Sequence, residues 1–297
     1  MSIEVNKAFV QQFKDNLIHL AQQKGSRLLR TVMSEKVVGK SHHFDRLGAT
    51  SAVKRTTRHG DTPLIDTPHS RRRVTMDDYE WADLIDKQDK VRMLISPESD
   101  YARAGSNALG RTLDDLIIEA ATGNSVSVDA SDSASNVALP STQIVDEDFG
   151  TADSNLTLAK IIEASKILNG NEVGDGEKRY FIFNSDAQAN LLNDTTLSSA
   201  DYNSIKVLMR GEVDTFMGFE FVRSERLEGT ADGTDTAPIK CLAYVKSGIG
   251  VGMGADISAR ISERDDKSYA TQVYASMTAG AVRVEEEKVV SIECVQS

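Results

Sequence analysis

At 297 residues, with 40% hydrophobic and 27% charged side chains, the chain has the composition of a globular protein and the length for one large domain or two. No apolar run approaches the ~18 residues of a membrane-spanning helix, and two cysteines, Cys241 and Cys294, are too few for a disulfide framework or a cysteine-based zinc site. The net charge of −11 and a pI near 5.0 argue against a dedicated nucleic-acid binder, whose domain pI usually exceeds about 9.

From Val5, the apolar Phe9, Phe13 and Leu17 recur every four residues, joined by Leu20 and Ala21. This spacing predicts one face of an amphipathic helix, stopped at Gly25. With only polar turns after it, the helix reads as an arm that must dock elsewhere. The start, Met1-Ser2-Ile3-Glu4-Val5, lacks a basic segment followed by an apolar core, so no secretory signal is expected.

Residues 36–73 come next and carry Lys36, Lys40, Arg46, Lys54, Arg55, Arg58, Arg71, Arg72 and Arg73 against Asp45, Asp61 and Asp66, a net +6, with four of the five histidines. Residues 1–35 add +2, which leaves −19 for residues 74–297. A cationic segment tethered to an acidic body can pair with another copy of that body or with nucleic acid. Few apolar side chains, three glycines (Gly39, Gly48, Gly60) and two prolines (Pro63, Pro68) deny this segment a core of its own. It is either disordered or an extended two-stranded excursion laid on a partner. Val74 to Leu84, with Tyr79 and Trp81, reads as a strand that returns the chain to the body.

The clearest helix spans residues 97–122. Ser96 suits the N-cap, Pro97 the first helical position, and Glu98 and Asp100 the positive end of the macrodipole. Tyr101, Gly105, Ala108, Leu109, Thr112, Leu116, Ile117 and Ala120 line one face, and Gly123 ends it. Asn124 to Asp153, rich in Ser, Asp, Ala and Val, reads as weak strand or loop and as a boundary. Beyond it a helix is expected over Leu156–Leu168, a strand over Arg179–Phe183, a helix capped by Ser185 and a helix over Asp201–Met209. Strands over Phe219–Arg223 and Lys240–Val245 flank a turn-rich loop, Glu228–Pro238. This alternation predicts an α/β domain between residues 154 and 255. From Asp256 the pattern turns strand-like: Ile257/Ala259/Ile261, Tyr269–Met277 and Ala281–Cys294.

Catalytic parts do not assemble in the sequence. Gly248, Gly250, Gly252 and Gly254 alternate with Ile249, Val251 and Met253, a period of two that predicts a strand packing its glycine face on neighbouring backbone, not a dinucleotide turn. His42, His43, His59 and His69 match no helical ligand pair, no serine sits in a GxSxG elbow, and Glu285, Glu286 and Glu287 read as a solvated strand edge. No cofactor and no metal are expected, and the chain is not read as an enzyme.

Taken in order, an arm helix, a cationic excursion, one long helix opened by Ser-Pro, an α/β domain and long terminal strands resemble the major capsid protein fold of tailed double-stranded DNA bacteriophages, found also in encapsulins and the herpesvirus capsid floor. Ser96-Pro97-Glu98-Ser99-Asp100-Tyr101 through Gly110-Arg111-Thr112-Leu113-Asp114-Asp115 to Ala120-Ala121-Thr122-Gly123 looks like the family's spine helix. Gly252-Met253-Gly254-Ala255-Asp256-Ile257, Ile261-Ser262-Glu263-Arg264 and Ala279-Gly280-Ala281-Val282-Arg283 are similar to its closing strands. The resemblance implies an α+β protein: N-terminal arm 1–35, extended loop (a β-hairpin) 36–78, peripheral domain 79–153 with spine helix 97–122, axial domain 154–255 and closing strands 256–297.

It also implies a structural protein that self-assembles into hexamers and pentamers, forming an icosahedral head around double-stranded DNA. Its place would be the virion, and the host cytoplasm during assembly, with no membrane partner. In the family the extended loop reaches over the peripheral domain of the adjacent subunit. Arg55, Arg58, Arg71, Arg72 and Arg73 are accordingly expected to make inter-subunit contacts, the last three as inter-subunit or loop-base anchors, with Arg71 and Arg73 on one strand face and Arg72 on the other. Phe9, Phe13, Leu17, Arg27 and Arg30 are expected on the inner face of the shell. A portal and packaged DNA are implied partners, as is a separate scaffolding protein, favoured by Met1 over a processed precursor; a decoration protein is a further candidate. The alternatives are an encapsulin-type shell and, from another class, an acidic DNA-associated protein with a basic arm.

Overall fold

The computed structural model describes residues 22–58, 60–62, 64–86, 98–129, 133–151, 154–173, 176–193, 215–227 and 238–295. The predicted arm helix, the helix over Asp201–Met209, nearly all of the 228–238 loop, and Ser96 and Pro97 lie outside these residues. The chain forms two compact units. One comprises the described residues of Met1–Ser26, Asp78–Leu113 and Ala255–Thr278; the other those of Arg27–Asp77, Asp114–Gly254 and Ala279–Ser297.

The larger unit is built on a six-stranded sheet. Its strands are β7 (Ile144–Val145), β8 (Arg179–Phe183), β9 (Thr215–Phe216), β10 (Phe219–Arg223), β11 (Ile239–Val245) and β14 (Val289–Cys294), in the order β7-β14-β11-β8-β10-β9. The central strands are apolar almost throughout: Tyr180 to Phe183, Cys241 to Val245 and Val289, Val290 and Ile292 are buried. Such runs mark strands covered on both faces. Helix α2 (Leu158–Gly170) packs on β14 and buries Ile161, Ala164 and Leu168. It also carries Lys160, fully buried, whose Nζ donates to the carbonyls of Glu147 (2.9 Å), Ser154 (2.7 Å) and Glu293 (2.9 Å). Burial lowers this ammonium below the usual lysine value. Its three donors thereby tie the loop after β7 to the last strand. Helix α3 (Ser185–Asn193) starts differently from expectation: Asn184 Oδ1, not Ser185, accepts the Ala187 N–H, and the Ser185 N–H and hydroxyl both donate to Glu225.

Residues 36–75 form a hairpin, not a disordered excursion. Strands β2 (Ser41–Leu47) and β3 (His69–Thr75) pair antiparallel from Ser41↔Thr75 to Leu47↔His69. The stretch after the long helix, expected to be weakly structured, adds β5 (Ser125–Val128) and β6 (Ala134–Val137), giving a sheet of order β2-β3-β5-β6. The single strand expected over Val74–Leu84 is broken at Met76, whose N–H donates to the Lys40 carbonyl, so that β3 ends and β4 (Asp77–Ile85) begins. Strand β1 (Met33–Lys36) pairs parallel with the start of β12 (Ile249–Arg264), Met33↔Gly250 to Lys36↔Met253.

In the smaller unit, the outer part of β12, β13 (Ala270–Arg283) and β4 are adjacent in that order. Helix α1 (Glu98–Thr122) contributes its first four turns, with Gly105 against the indole of Trp81. At 1.5 Å per residue this 25-residue helix is about 37 Å long.

Candidate assembly interface

The hairpin presents two unlike faces, because side chains alternate along a strand. Phe44, Arg72 and Val74 are buried on one face, while Asp45, Arg71, Leu47 and His69 are exposed on the other. Phe44, Val74 and Met76 join Val37, Val282 and Val284 in an apolar cluster at the hairpin's root. The alternating glycines of β12 are the floor of that root. A Cβ at Gly250 would lie 2.6 Å from Phe44 Cζ, and one at Gly252 would collide with the Met76 methyl. Gly250 and Gly252 therefore meet side chains, whereas Gly248 approaches the Lys288 backbone carbonyl, as the sequence pattern suggested.

Beyond Leu47 the described residues up to Pro68 form no helix or strand. Lys54, Arg55 and Arg58 are exposed there, with Arg55 Nε donating to the Thr57 carbonyl at 2.9 Å. Exposed beside them are Val53, Leu64 (99%) and Ile65, and Val38 and Leu47 are exposed nearer the root. Arg71 pairs with Asp45 at 2.8 Å in the open, where such a pair contributes about 0–1 kcal/mol. Arg73 lies half-buried on β3, opposite His43.

Arg72 is different: only 3% exposed, it donates from Nη2 to Glu286 Oε1 at 2.6 Å. Arg46 Nη1 donates to Glu286 Oε2 (3.2 Å) and to the Val284 carbonyl (2.9 Å), and Ser125 Oγ donates to Oε1 (3.2 Å). Arg283, fully buried, has Nε 3.9 Å from the same carboxylate. Its other nitrogens donate to the carbonyls of Ala121, Gly123 and Val137, closing the C-terminal end of α1 with a cation. Burial by itself would raise the Glu286 carboxyl. The Arg72 hydrogen bond, its own backbone N–H, and the charges of Arg72 and Arg46 outweigh that and hold it below the usual carboxylate range. Glu286 is thus a half-buried counterion and not part of a solvated edge. Arg72 is held within its own chain.

Segment 22–31 is fastened by one row of α1. Asn107 Oδ1 accepts the Gly25 N–H (3.1 Å), Arg111 Nη1 donates to Gln22 Oε1 (2.9 Å) and the Gln23 carbonyl (3.2 Å), and a Cβ at Gly110 would lie 2.6 Å from the Gly25 carbonyl carbon. In the larger unit, buried Asp114 accepts the N–H groups of Arg27 (3.0 Å) and Leu28 (3.1 Å). Arg27 Nη1 donates to the Arg223 carbonyl, and Arg30 lies 3.4 Å from Glu220. Phe9, Phe13 and Leu17 lie outside the described residues.

Strand β4 is an outer strand of its sheet and is acidic, with Asp78 and Glu80 exposed on one face. Thr278 Oγ1 donates to Asp78 (2.6 Å) and the Tyr274 hydroxyl to Glu80 (2.8 Å), so β13 orients both carboxylates. Among the described residues, no three His, Cys, Asp or Glu side chains gather as a metal would require, and no helix is long and apolar enough to cross a membrane.

Sequence reasoning missed Arg46, Asn107, Asp114, Arg283 and Glu286. The one available signal was the spacing of Asn107, Gly110, Arg111 and Asp114, which shares a helix face; for Glu286 there was none.

Residues 5–296 match the family model described as phage capsid protein. Among solved structures the chain is similar to the capsid of cyanophage P-SCSP1u, with a TM-score of 0.70, 18% identity, and coverage of 99% of this chain and 95% of that one. It is similar to the chain from Mycobacterium phage Che8 with a TM-score of 0.66, 18% identity, and coverage of 96% and 97%. For the capsid of the native GTA particle the TM-score is 0.67 at 10% identity, with coverage of 99% and 98%. No curated protein matches the sequence.

Proposed function

As a member of the phage capsid protein family this chain is a structural protein of the virion shell, and we propose that it assembles through its cationic hairpin into hexamers and pentamers of an icosahedral head around double-stranded DNA. The observation that carries this is the hairpin itself. It holds exposed Lys54, Arg55, Arg58 and Arg71 and exposed Val53, Leu64 and Ile65, on a segment with no core beneath it. Laid on the acidic strand β4 of a second copy, these side chains would meet Asp78 and Glu80. Such complementarity sets register and suppresses wrong pairing more than it adds affinity. Arg71 and Arg73 would make contacts between subunits, and Arg72 would set the strand beneath them.

Segment 22–31, held on α1, would lead the arm to the inner face, with Arg27 and Arg30 toward packaged DNA or an acidic scaffold. A separate scaffolding protein, a portal and a decoration protein are the further partners proposed, with assembly in the host cytoplasm and no catalytic step.

Size-exclusion chromatography and negative-stain microscopy of the purified chain test this. Capsomers or particles tens of nanometres across are expected, and dissociation should grow with salt. A small dimer that shifts DNA in a gel would overturn it in favour of a basic-arm binding protein. Limited trypsin digestion of sealed particles should spare the Lys24–Arg30 region; rapid cleavage there would put the arm outside.

A further inference from the structure

The Glu286 cluster holds more positive charge than it neutralises. Arg46 from β2, Arg72 from β3 and Arg283 from β13 face a single carboxylate, with Ser125 of β5 the remaining polar group on it. On the same turn Glu285 is taken up by Lys288 at 3.0 Å. Among the described residues, Arg72 Nε and Nη1 and Arg283 Nε are buried with no hydrogen-bond partner. Buried donors left over in this way mark a high-energy site.

The cluster also joins two sheets of the larger unit. Arg46, Arg72 and Ser125 sit on three strands of the hairpin sheet, and Arg283 reaches its fourth strand region through the Val137 carbonyl. Glu286 lies on the short turn between β13 and β14, and β14 belongs to the six-stranded sheet. Close by, Phe44 and Met76 rest on the bare backbone of Gly250 and Gly252.

We propose that Glu286 is a charge latch: ionised, it holds the hairpin sheet on the body; neutralised, it releases that sheet and its cationic tip while the six-stranded sheet stays folded. The response is asymmetric. Removing the carboxylate leaves buried Arg72 and Arg283 and half-buried Arg46 without a counterion, whereas removing one arginine brings the cluster nearer balance. Because the carboxyl is held below its ordinary range, the stability it contributes is complete above that range and lost as pH falls through the lowered value.

The consequence for assembly rests on the hairpin being the assembly arm; the latch itself is tested on the unassembled full-length chain. Hydrogen exchange followed by mass spectrometry would compare wild type, Glu286→Gln and Arg72→Met at neutral pH. Glu286→Gln should speed exchange over residues 41–47, 69–75 and 125–128 by about tenfold or more, with 179–183, 239–245 and 289–294 nearly unchanged. Arg72→Met should have the smaller effect. Equal effects of the two variants, or unchanged exchange over 41–47 and 69–75, would overturn the latch, as would loss of protection everywhere. Wild type supplies an independent reading: pepsin at about pH 2, well below the ordinary carboxylate pKa, should cut within 41–47 or 69–75 before 239–245, and the reverse order would refute it. Faster exchange with normal particle yield would spare the latch and count against the hairpin as assembly arm. Failed assembly with unchanged exchange would do the opposite.

Discussion

At the root of the hairpin Phe44, Val74 and Met76 are buried on the glycines of β12, and Arg72 is closed over Glu286; nine residues after Phe44 and eight before Arg72, Val53 and Leu64 stand in solvent, as do Arg55 and Arg58. Both ends belong to one excursion of similar composition. What separates them is the availability of a surface: the root found one within its own chain, and the tip did not. Root residues should therefore govern the stability of the single chain, and tip residues the association of chains.

The largest expected effect lies at the root. Phe44→Ala should cost about 3–5 kcal/mol of unfolding free energy, since Gly250 offers no side chain to refill the cavity. Urea denaturation of the unassembled chain measures it, and a loss below about 1 kcal/mol would mean the root is not packed as described. Next comes Asp114→Ala, which strands the buried N–H groups of Arg27 and Leu28 and should cost about 1–3 kcal/mol. It should also expose the peptide bonds after Lys24, Arg27 and Arg30 to trypsin in the free chain.

Moving outward sharpens the contrast. Arg71→Glu with Arg73→Glu should change unfolding free energy by no more than about 1 kcal/mol yet abolish particles in negative stain; normal yield would remove these arginines from the interface. Asp45→Ala, which breaks only the exposed pair with Arg71, should shift stability by about 0.5 kcal/mol or less. A larger loss would show that the outer face is also bound within the chain.

Local periodicity and end signals determined the regular elements of this protein. The strands over Arg179–Phe183 and Phe219–Arg223 carry the bounds read from the sequence, and α1 ends at Thr122, ahead of Gly123. Alternation along β3 likewise put Arg72 on the opposite face from Arg71 and Arg73. In each case the cause is local: backbone geometry and the spacing of apolar groups act over a few residues. The charge division also anticipated a projecting cationic segment.

Tertiary structure alone decided which charges are displayed and which are consumed. Glu286 stands between two other glutamates and looks solvated, yet three arginines from positions 46, 72 and 283 converge on it. The glycines of β12 look like a backbone contact until Phe44 and Met76 are brought over them. Asn184 caps the helix that Ser185 was expected to cap, and Ser185 instead donates twice to Glu225, forty residues on. Coulomb and packing energies depend on distance in space, and nothing in the order of residues encodes which distant carboxylate a buried guanidinium will meet.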